Sequence, residues 1–252
     1  MPEDRFDSDP NVTFDRDRQL RIGLEEAVLA EFKTVAQVSA ILGDAIAEGR
    51  RLLLTRLTRD QHAALPEAQR AAIDYCPLSR TAILGALPPQ AVTPRVALVS
   101  AGTSDAGPAV EAQRVLAYSG LSATMVADVG VAGLWRLLRQ EELLKSMQVV
   151  IVFAGMDAAL PSVVAGLVPG MVIAVPTSVG YGVAAGGQTA LNATLASCAP
   201  GILVTNIDNG YGAACAALRF ARVTGTPAPR TPDAASGAPS DRAARPAPPD
   251  GF

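Results

Sequence analysis

From Arg95 onward the chain alternates short apolar runs with helix-patterned stretches, five times over, and this alternation narrows its possible folds more than any other feature. The spacing predicts strands over 96–100, 123–127, 148–153, 171–175 and 202–206, with helices over about 106–119, 131–145, 157–167, 186–197 and 211–223. A run such as Val96-Ala97-Leu98-Val99 has no polar alternation, as expected of a strand covered on both faces. Strands alternating with helices imply an α/β domain built on a doubly wound parallel sheet. Residues are 49% hydrophobic but only 4% aromatic, so Ala, Val, Leu and Gly supply the core volume, which suits closely packed α/β layers.

The preceding segment reads differently. Between about 14 and 90 the pattern is helical and charged, with Leu24, Val28 and Leu29, then Val35, Val38, Ile41 and Leu42 at helix spacing, followed by the β-like Arg51-Leu52-Leu53-Leu54-Thr55. This predicts a smaller N-terminal α+β domain over 14–90. Leu87-Pro88-Pro89-Gln90 breaks the periodicity, and the α/β domain is expected over 94–223. The ends, 1–13 and 224–252, carry too little apolar surface to repay ordering and are expected to be disordered.

Net charge and cysteine usage exclude several classes of function. A formal charge of −3 without a dense basic stripe argues against nucleic acid as a partner and for a small molecule. Three cysteines, Cys76, Cys198 and Cys215, are an odd number without close spacing, which disfavours a disulfide framework or a cysteine zinc site and fits a reducing compartment. Met1 to Asp17 is acidic and polar, and no uncharged apolar run reaches the roughly 20 residues of a membrane span, so a soluble, cytoplasmic protein without membrane contact is expected. The single histidine, His62, reads as a solvated surface group and excludes Ser-His-Asp or multi-histidine metal chemistry in the α/β domain. Cys215, in an Ala-rich helical run, reads as a buried small hydrophobe.

In doubly wound sheets ligands bind beyond the carboxyl ends of the strands, where the winding reverses. Every polar cluster of interest falls there: Ser100, Gly102, Thr103, Ser104 and Asp105; Asp128; Gly155, Met156 and Asp157; Pro176, Thr177, Ser178 and Gly180; and Asn206 with Asp208. The first presents backbone N–H groups and small hydroxyls at a helix N-terminus, a layout suited to a phosphorylated ligand. Taken alone it also fits an ordinary strand-to-helix connection with Ser104 or Asp105 as N-cap. Asp128 fits either a ribose-binding carboxylate or a cap for the helix near Val131, and Asp157 either a cap or a general base. The first turn lacks a G-x-G-x-x-G fingerprint, which weakens a dinucleotide dehydrogenase reading. Cys198 lies in the Pro/Gly-bounded turn Cys198-Ala199-Pro200-Gly201, where a thiol can be accessible, although a helix C-terminus disfavours its thiolate.

Taken together, Ser-Ala-Gly-Thr-Ser-Asp (100–105), Asp-Val-Gly-Val-Ala-Gly (128–133), Ala-Gly-Met-Asp-Ala-Ala-Leu-Pro-Ser-Val-Val (154–164), Val-Pro-Thr-Ser-Val-Gly-Tyr-Gly (175–182) and Asn-Ile-Asp-Asn-Gly-Tyr-Gly-Ala (206–213) resemble the LarB family. Asp17-Arg18, Arg21-x-Gly23 and Lys33-Thr34 resemble that family's first domain. The resemblance implies a three-layer, flavodoxin-like α/β domain similar to aminoimidazole ribonucleotide carboxylase. It further implies a carboxylase and hydrolase of nickel-pincer nucleotide cofactor synthesis, which adds CO2 to pyridinium C5 of nicotinic acid adenine dinucleotide and cleaves the phosphoanhydride. The products would be pyridinium-3,5-biscarboxylic acid mononucleotide and AMP. Cys198 matches the family's cysteine, and Asp157 the position where the family usually carries Glu. CO2 or bicarbonate would be co-substrate, with no tightly bound organic cofactor; any Mg2+ would enter through substrate phosphates, and the assembly would be a homo-oligomer, by family resemblance an octamer. Two alternatives stand beside this: a non-catalytic nucleotide-binding sensor, and aminoimidazole ribonucleotide carboxylase itself. The second is disfavoured because the 128–131 loop has no histidine.

Overall fold

The structure, a computed structural model, describes residue 15 and residues 17–225. The expected disordered ends therefore lie outside the described residues, apart from Thr224 and Gly225, which form a turn.

The N-terminal part runs α1 (Arg18–Ile22), β1 (Ala27–Leu29), α2 (Val35–Ala47), β2 (Leu52–Thr55), α3 (Arg59–Ala64), α4 (Glu67–Ala72), β3 (Ile73–Cys76) and β4 (Thr81–Leu84). Thr34 starts α2 with a capping box, its hydroxyl accepting from Gln37 N while the Gln37 side chain accepts from Thr34 N. The four strands form one sheet in the order β1-β2-β4-β3, parallel between β1 and β2 and antiparallel elsewhere. Leu24, Val28 and Leu29 do not share a helix. Ala27–Leu29 is a strand, with Val28 buried and paired in register with Leu54. Three residues are too few to display a period of two, so pairing with β2, rather than local pattern, decides their state.

Next come β5 (Val96–Ser100), α5 (Ala106–Tyr118), β6 (Thr124–Val126), α6 (Leu134–Leu138), α7 (Glu141–Lys145), β7 (Val149–Ala154), α8 (Ala159–Leu167), β8 (Met171–Pro176), α9 (Gln188–Leu195), β9 (Leu203–Val204) and α10 (Gly210–Val223). All five strands are parallel, in the order β6-β5-β7-β8-β9, so the fold is the flavodoxin-like doubly wound sheet. Successive residues of β7 serve opposite layers. Val149, Ile151 and Phe153 pack with α5 and α10, while Val150, Val152 and Ala154 pack with Leu137, Leu144, Leu160 and Val164 from the other side.

Three predicted elements differ in detail. The helix expected over 131–145 is split into a 3-10 turn (Val131–Gly133), α6 and α7; that over 186–197 is a 3-10 segment (Gly182–Gly187) followed by α9; and the last strand keeps only two residues. Left-handed Gly186 and Gly187 account for the break before α9.

The N-terminal sheet covers the outer face of α5, with Leu53 and Ile83 joining the α5 core. Polar contacts fix the joint: Arg51 donates to the Tyr118 carbonyl and lies over its ring, and Arg114 donates to Thr81 Oγ1 (2.7 Å) and Asp74 Oδ2 (3.0 Å). Among the described residues no helix is long and apolar enough to cross a membrane. His62 is a half-buried group stacked on the Tyr75 ring at 4.1 Å, its pKa lowered by burial and by Arg70, rather than a solvated one. Cys215 is half-buried, with its thiol pushed up by burial.

Candidate active site

The winding reverses between β5 and β7, and the loops leaving the carboxyl ends of the strands are tied to one another there. Asp105 is the central tie. It is 4% exposed, and its Oδ2 accepts from Gly102 N (2.8 Å) while its Oδ1 accepts from the buried Thr177 hydroxyl (2.5 Å). It occupies the N-cap position of α5 without a side-chain cap bond, so this carboxylate shapes the turn and joins the first loop to the fourth. Ser100, beneath it, is buried and its Oγ takes the Asp128 N–H at 3.4 Å.

Gly155 has no alternative at its position, because a Cβ there would lie 2.1 Å from the Val179 carbonyl oxygen. Met156 N donates to that same oxygen (2.7 Å), which lashes the loop after β7 to the loop after β8. Asp208 Oδ1 accepts from Ser178 N (2.9 Å), and Asp208 N donates to the Pro176 carbonyl (2.9 Å), bringing in the loop after β9. Asp128, Met156, Ala158 and Asp208 hold left-handed backbone in these loops, a costly conformation for side-chain-bearing residues that collects at functional sites.

The candidates thus divide into two layers. Ser100, Asp105, Gly155, Pro176 and Thr177 are buried and support the surface above them. Gly102, Thr103, Ser104, Asp128, Met156, Asp157, Ser178, Gly180, Asn206 and Asp208 reach that surface. Asp128 caps no helix; its carboxylate pairs with Arg136 (2.7 Å). Nor does Asp157 cap α8, whose N-cap is Ala158. Asp157 is exposed between two left-handed residues and makes no hydrogen bond or ion pair among the described residues.

Cys198 stands apart topologically, being the one candidate in a helix-to-strand connection, between α9 and β9. Its thiol is free and exposed. The neighbouring Ser197 hydroxyl lies 2.6 Å from the Ser162 hydroxyl and accepts from Ala199 N (3.2 Å). Ser162 sits in the first turn of α8, so this contact fastens the Cys198 turn to the end of α8 that follows Asp157.

Two cavities lie between the domains beside these loops, of about 170 and about 280 Å3, and neither is lined by Cys198 or Asp157. Both are bordered by Arg56 and Glu111, which the sequence alone did not single out. Glu111 is 4% exposed, and burial pushes its carboxyl up to about 7 against the pull of the Tyr211 N–H, which its Oε2 accepts at 3.1 Å, and of Arg56 and Arg80. Its signal was available: Glu111 falls in helical register with Val115 and Tyr118, placing a carboxylate on the buried face of α5. Arg56 and Arg80 carried none, since loop arginines are ordinary until the tertiary fold turns them inward.

The parallel β6-β5-β7-β8-β9 sheet, with its loops tied together at the switch point, defines the flavodoxin-like class of doubly wound α/β domain. Residues 95–234 match the AIR carboxylase family, more than half of the chain, and the chain belongs to that family. Residues 7–86 match the LarB/PurE-like N-terminal domain, and the two domains in this order are those of the LarB family. An uncharacterized protein of Methanocaldococcus jannaschii is 44% identical over 131 residues, covering 51% of this chain and 50% of that one. The chain thus spans about half the length of the curated relative it matches.

Proposed function

We propose that this protein carboxylates nicotinic acid adenine dinucleotide at pyridinium C5 and hydrolyses its phosphoanhydride, releasing pyridinium-3,5-biscarboxylic acid mononucleotide and AMP. The observation that carries this reading is the Ser162–Ser197 contact, which seats the exposed Cys198 turn against the helix end that follows Asp157.

The chemistry requires such a pair. A cationic pyridinium is electron-poor and cannot attack CO2. Addition of the Cys198 thiolate at C4 neutralises the ring and leaves an enamine whose C5 is nucleophilic. C5 then forms the bond to CO2, Asp157 removes the C5 proton, and the returning electron pair restores the aromatic ring as the C4–S bond breaks. Water supplies the hydroxyl that ends on phosphate when the anhydride is cleaved. The turn at 102–105 offers the Thr103 and Ser104 backbone N–H groups and hydroxyls to a substrate phosphate, the Gly102 and Asp105 N–H groups being spent on the Asp105 carboxylate and the Gly102 carbonyl. Among the described residues no three His, Cys, Asp or Glu side chains gather to hold a metal; in this reading a divalent ion is held through substrate phosphates.

We read the assembly as a cytoplasmic homo-oligomer, octameric by family resemblance. Trp135, Tyr181, Val183 and Leu195 leave large apolar groups on the surface that self-association would cover, and light scattering measures the subunit number.

Incubation with nicotinic acid adenine dinucleotide and labelled bicarbonate tests the reaction. Label in a mononucleotide, with AMP released, is expected; bound but unchanged dinucleotide would make the protein a sensor. Cys198→Ala is expected to abolish incorporation and keep binding, and turnover by that variant would eliminate the covalent route.

A further inference from the structure

The two interdomain cavities adjoin, because Arg56 and Glu111 border both. Each is small, but together they reach the roughly 300–1,000 Å3 of small-ligand sites. The first is bordered by Arg56 and Arg80 from the N-terminal domain, by Ser104 and Ser178 from the α/β loops, and by Gly107 and Pro108 in the first turn of the 13-residue α5. Guanidinium groups and hydroxyls on one cavity are a donor set for phosphate.

Both arginines are held in place. Arg56 and Arg80 have left-handed backbone, Leu57 N donates to the Arg80 carbonyl (2.8 Å), and Glu31 pairs with Arg56 at 3.1 Å and Arg80 at 3.5 Å. One carboxylate thus serves two guanidinium groups. Two further carboxylates border the first cavity: Asp208, whose Oδ1 accepts from Ser178 N, and Glu111, the buried group described above.

The second cavity has a different character. Its walls include Leu29, Tyr211 and Phe32, and Phe32 is 85% exposed, an aromatic face held in water. Asn206 and Asn209 spend their carbonyl oxygens on Ile207 N and Gly212 N (2.8 Å each), leaving their amide N–H groups to donate elsewhere. An exposed ring beside free amide donors suits a planar heterocycle with acceptor edges.

We propose that the joined cavities form a nucleoside 5′-monophosphate site, with Arg56, Arg80, Ser104 and Ser178 holding the phosphate, Phe32 stacking on the base, and Asn206 and Asn209 donating to the nucleoside. The N-terminal domain thereby becomes part of the substrate site. Assigning this site to the AMP half of the dinucleotide rests on the function proposed above; the binding itself does not.

Calorimetric titration of the full chain with AMP, and separately with nicotinic acid mononucleotide, tests the site. Arg56→Gln is expected to weaken AMP about tenfold or more, and Phe32→Ala about fivefold, with nicotinic acid mononucleotide changed less than about twofold in both. Phe32 is exposed, so its truncation leaves the core intact, and thermal unfolding checks the fold of both variants. The proposal is overturned if the unaltered protein does not bind AMP, if both variants bind it within about twofold of the unaltered protein, or if both probes weaken equally. Selective loss of AMP in a protein that fixes no labelled bicarbonate would uphold the site and reject the carboxylase reading. Carboxylation with AMP release but unchanged AMP affinity in both variants would do the reverse.

Discussion

Ser162 and Ser197, 35 residues apart, share a 2.6 Å hydroxyl–hydroxyl contact that couples the Cys198 turn to the start of α8. Removing the Ser162 hydroxyl leaves Ser197 its bond from Ala199 N but frees the turn from the helix. Ser162→Ala is expected to lower the initial carboxylation rate about tenfold, at a stability cost of about 1 kcal/mol, because a small displacement of a nucleophile costs more in rate than in folding. Initial rates and denaturant unfolding measure the two effects, and an unaltered rate would show that this contact does not position Cys198.

Asp157 is one methylene shorter than the glutamate usual in the family, yet it sits at an exposed apex between left-handed Met156 and Ala158. If its carboxylate removes the C5 proton, Asp157→Asn is expected to lower turnover by about 10²–10⁴-fold, while Asp157→Glu keeps it within about tenfold. Since the side chain makes no internal bond, neither change should alter the unfolding midpoint. Equal activity in Asp157→Asn and the unaltered protein removes Asp157 from the mechanism.

The Thr177–Asp105 bond is buried, and its loss strands a carboxylate oxygen away from water. Thr177→Val is expected to destabilise the protein by about 1–3 kcal/mol and to weaken binding of the dinucleotide, since the same carboxylate shapes the Gly102 turn. Denaturant titration and calorimetry read the two consequences. A stable variant with intact binding would mean that Gly102 N alone holds Asp105.

Glu111 makes stability depend on pH with a definite sign. Burial raises its folded pKa from 4.5 to about 7, so between these values the folded chain holds more protons than the unfolded one. Its contribution is most favourable below about pH 4.5 and is lost as pH rises through about 7, by at most about 3 kcal/mol. Glu111→Gln, which keeps an acceptor for Tyr211 N, is expected to flatten that part of the stability curve and to be the more stable protein above pH 7. Parallel curves for the two proteins would show that Glu111 does not titrate in this range.

Legibility followed the length of each element. Runs covered on both faces, such as Val149–Ala154 and Met171–Pro176, announce themselves because every residue is apolar. Ala27–Leu29 did not, because so short a strand has no period of its own. The capping readings of Asp128 and Asp157 failed because left-handed backbone turns the chain before the helix begins: Asp128 is itself left-handed ahead of the cap at Gly130, and Asp157 lies between left-handed Met156 and the left-handed cap Ala158.

The sequence by itself determined the five-strand α/β layout, the loops at the carboxyl ends and the cysteine in its Pro/Gly turn, because periodicity and chain punctuation are local properties. Only the tertiary structure decided that Asp105 reaches Thr177, that Ser197 reaches Ser162, and that Arg56 and Arg80 border one cavity with Glu111 at a domain joint. These pairings join residues far apart in the chain, and what brings them together is the burial of Leu53 and Ile83 against α5 and of α8 against the sheet, which no local pattern encodes.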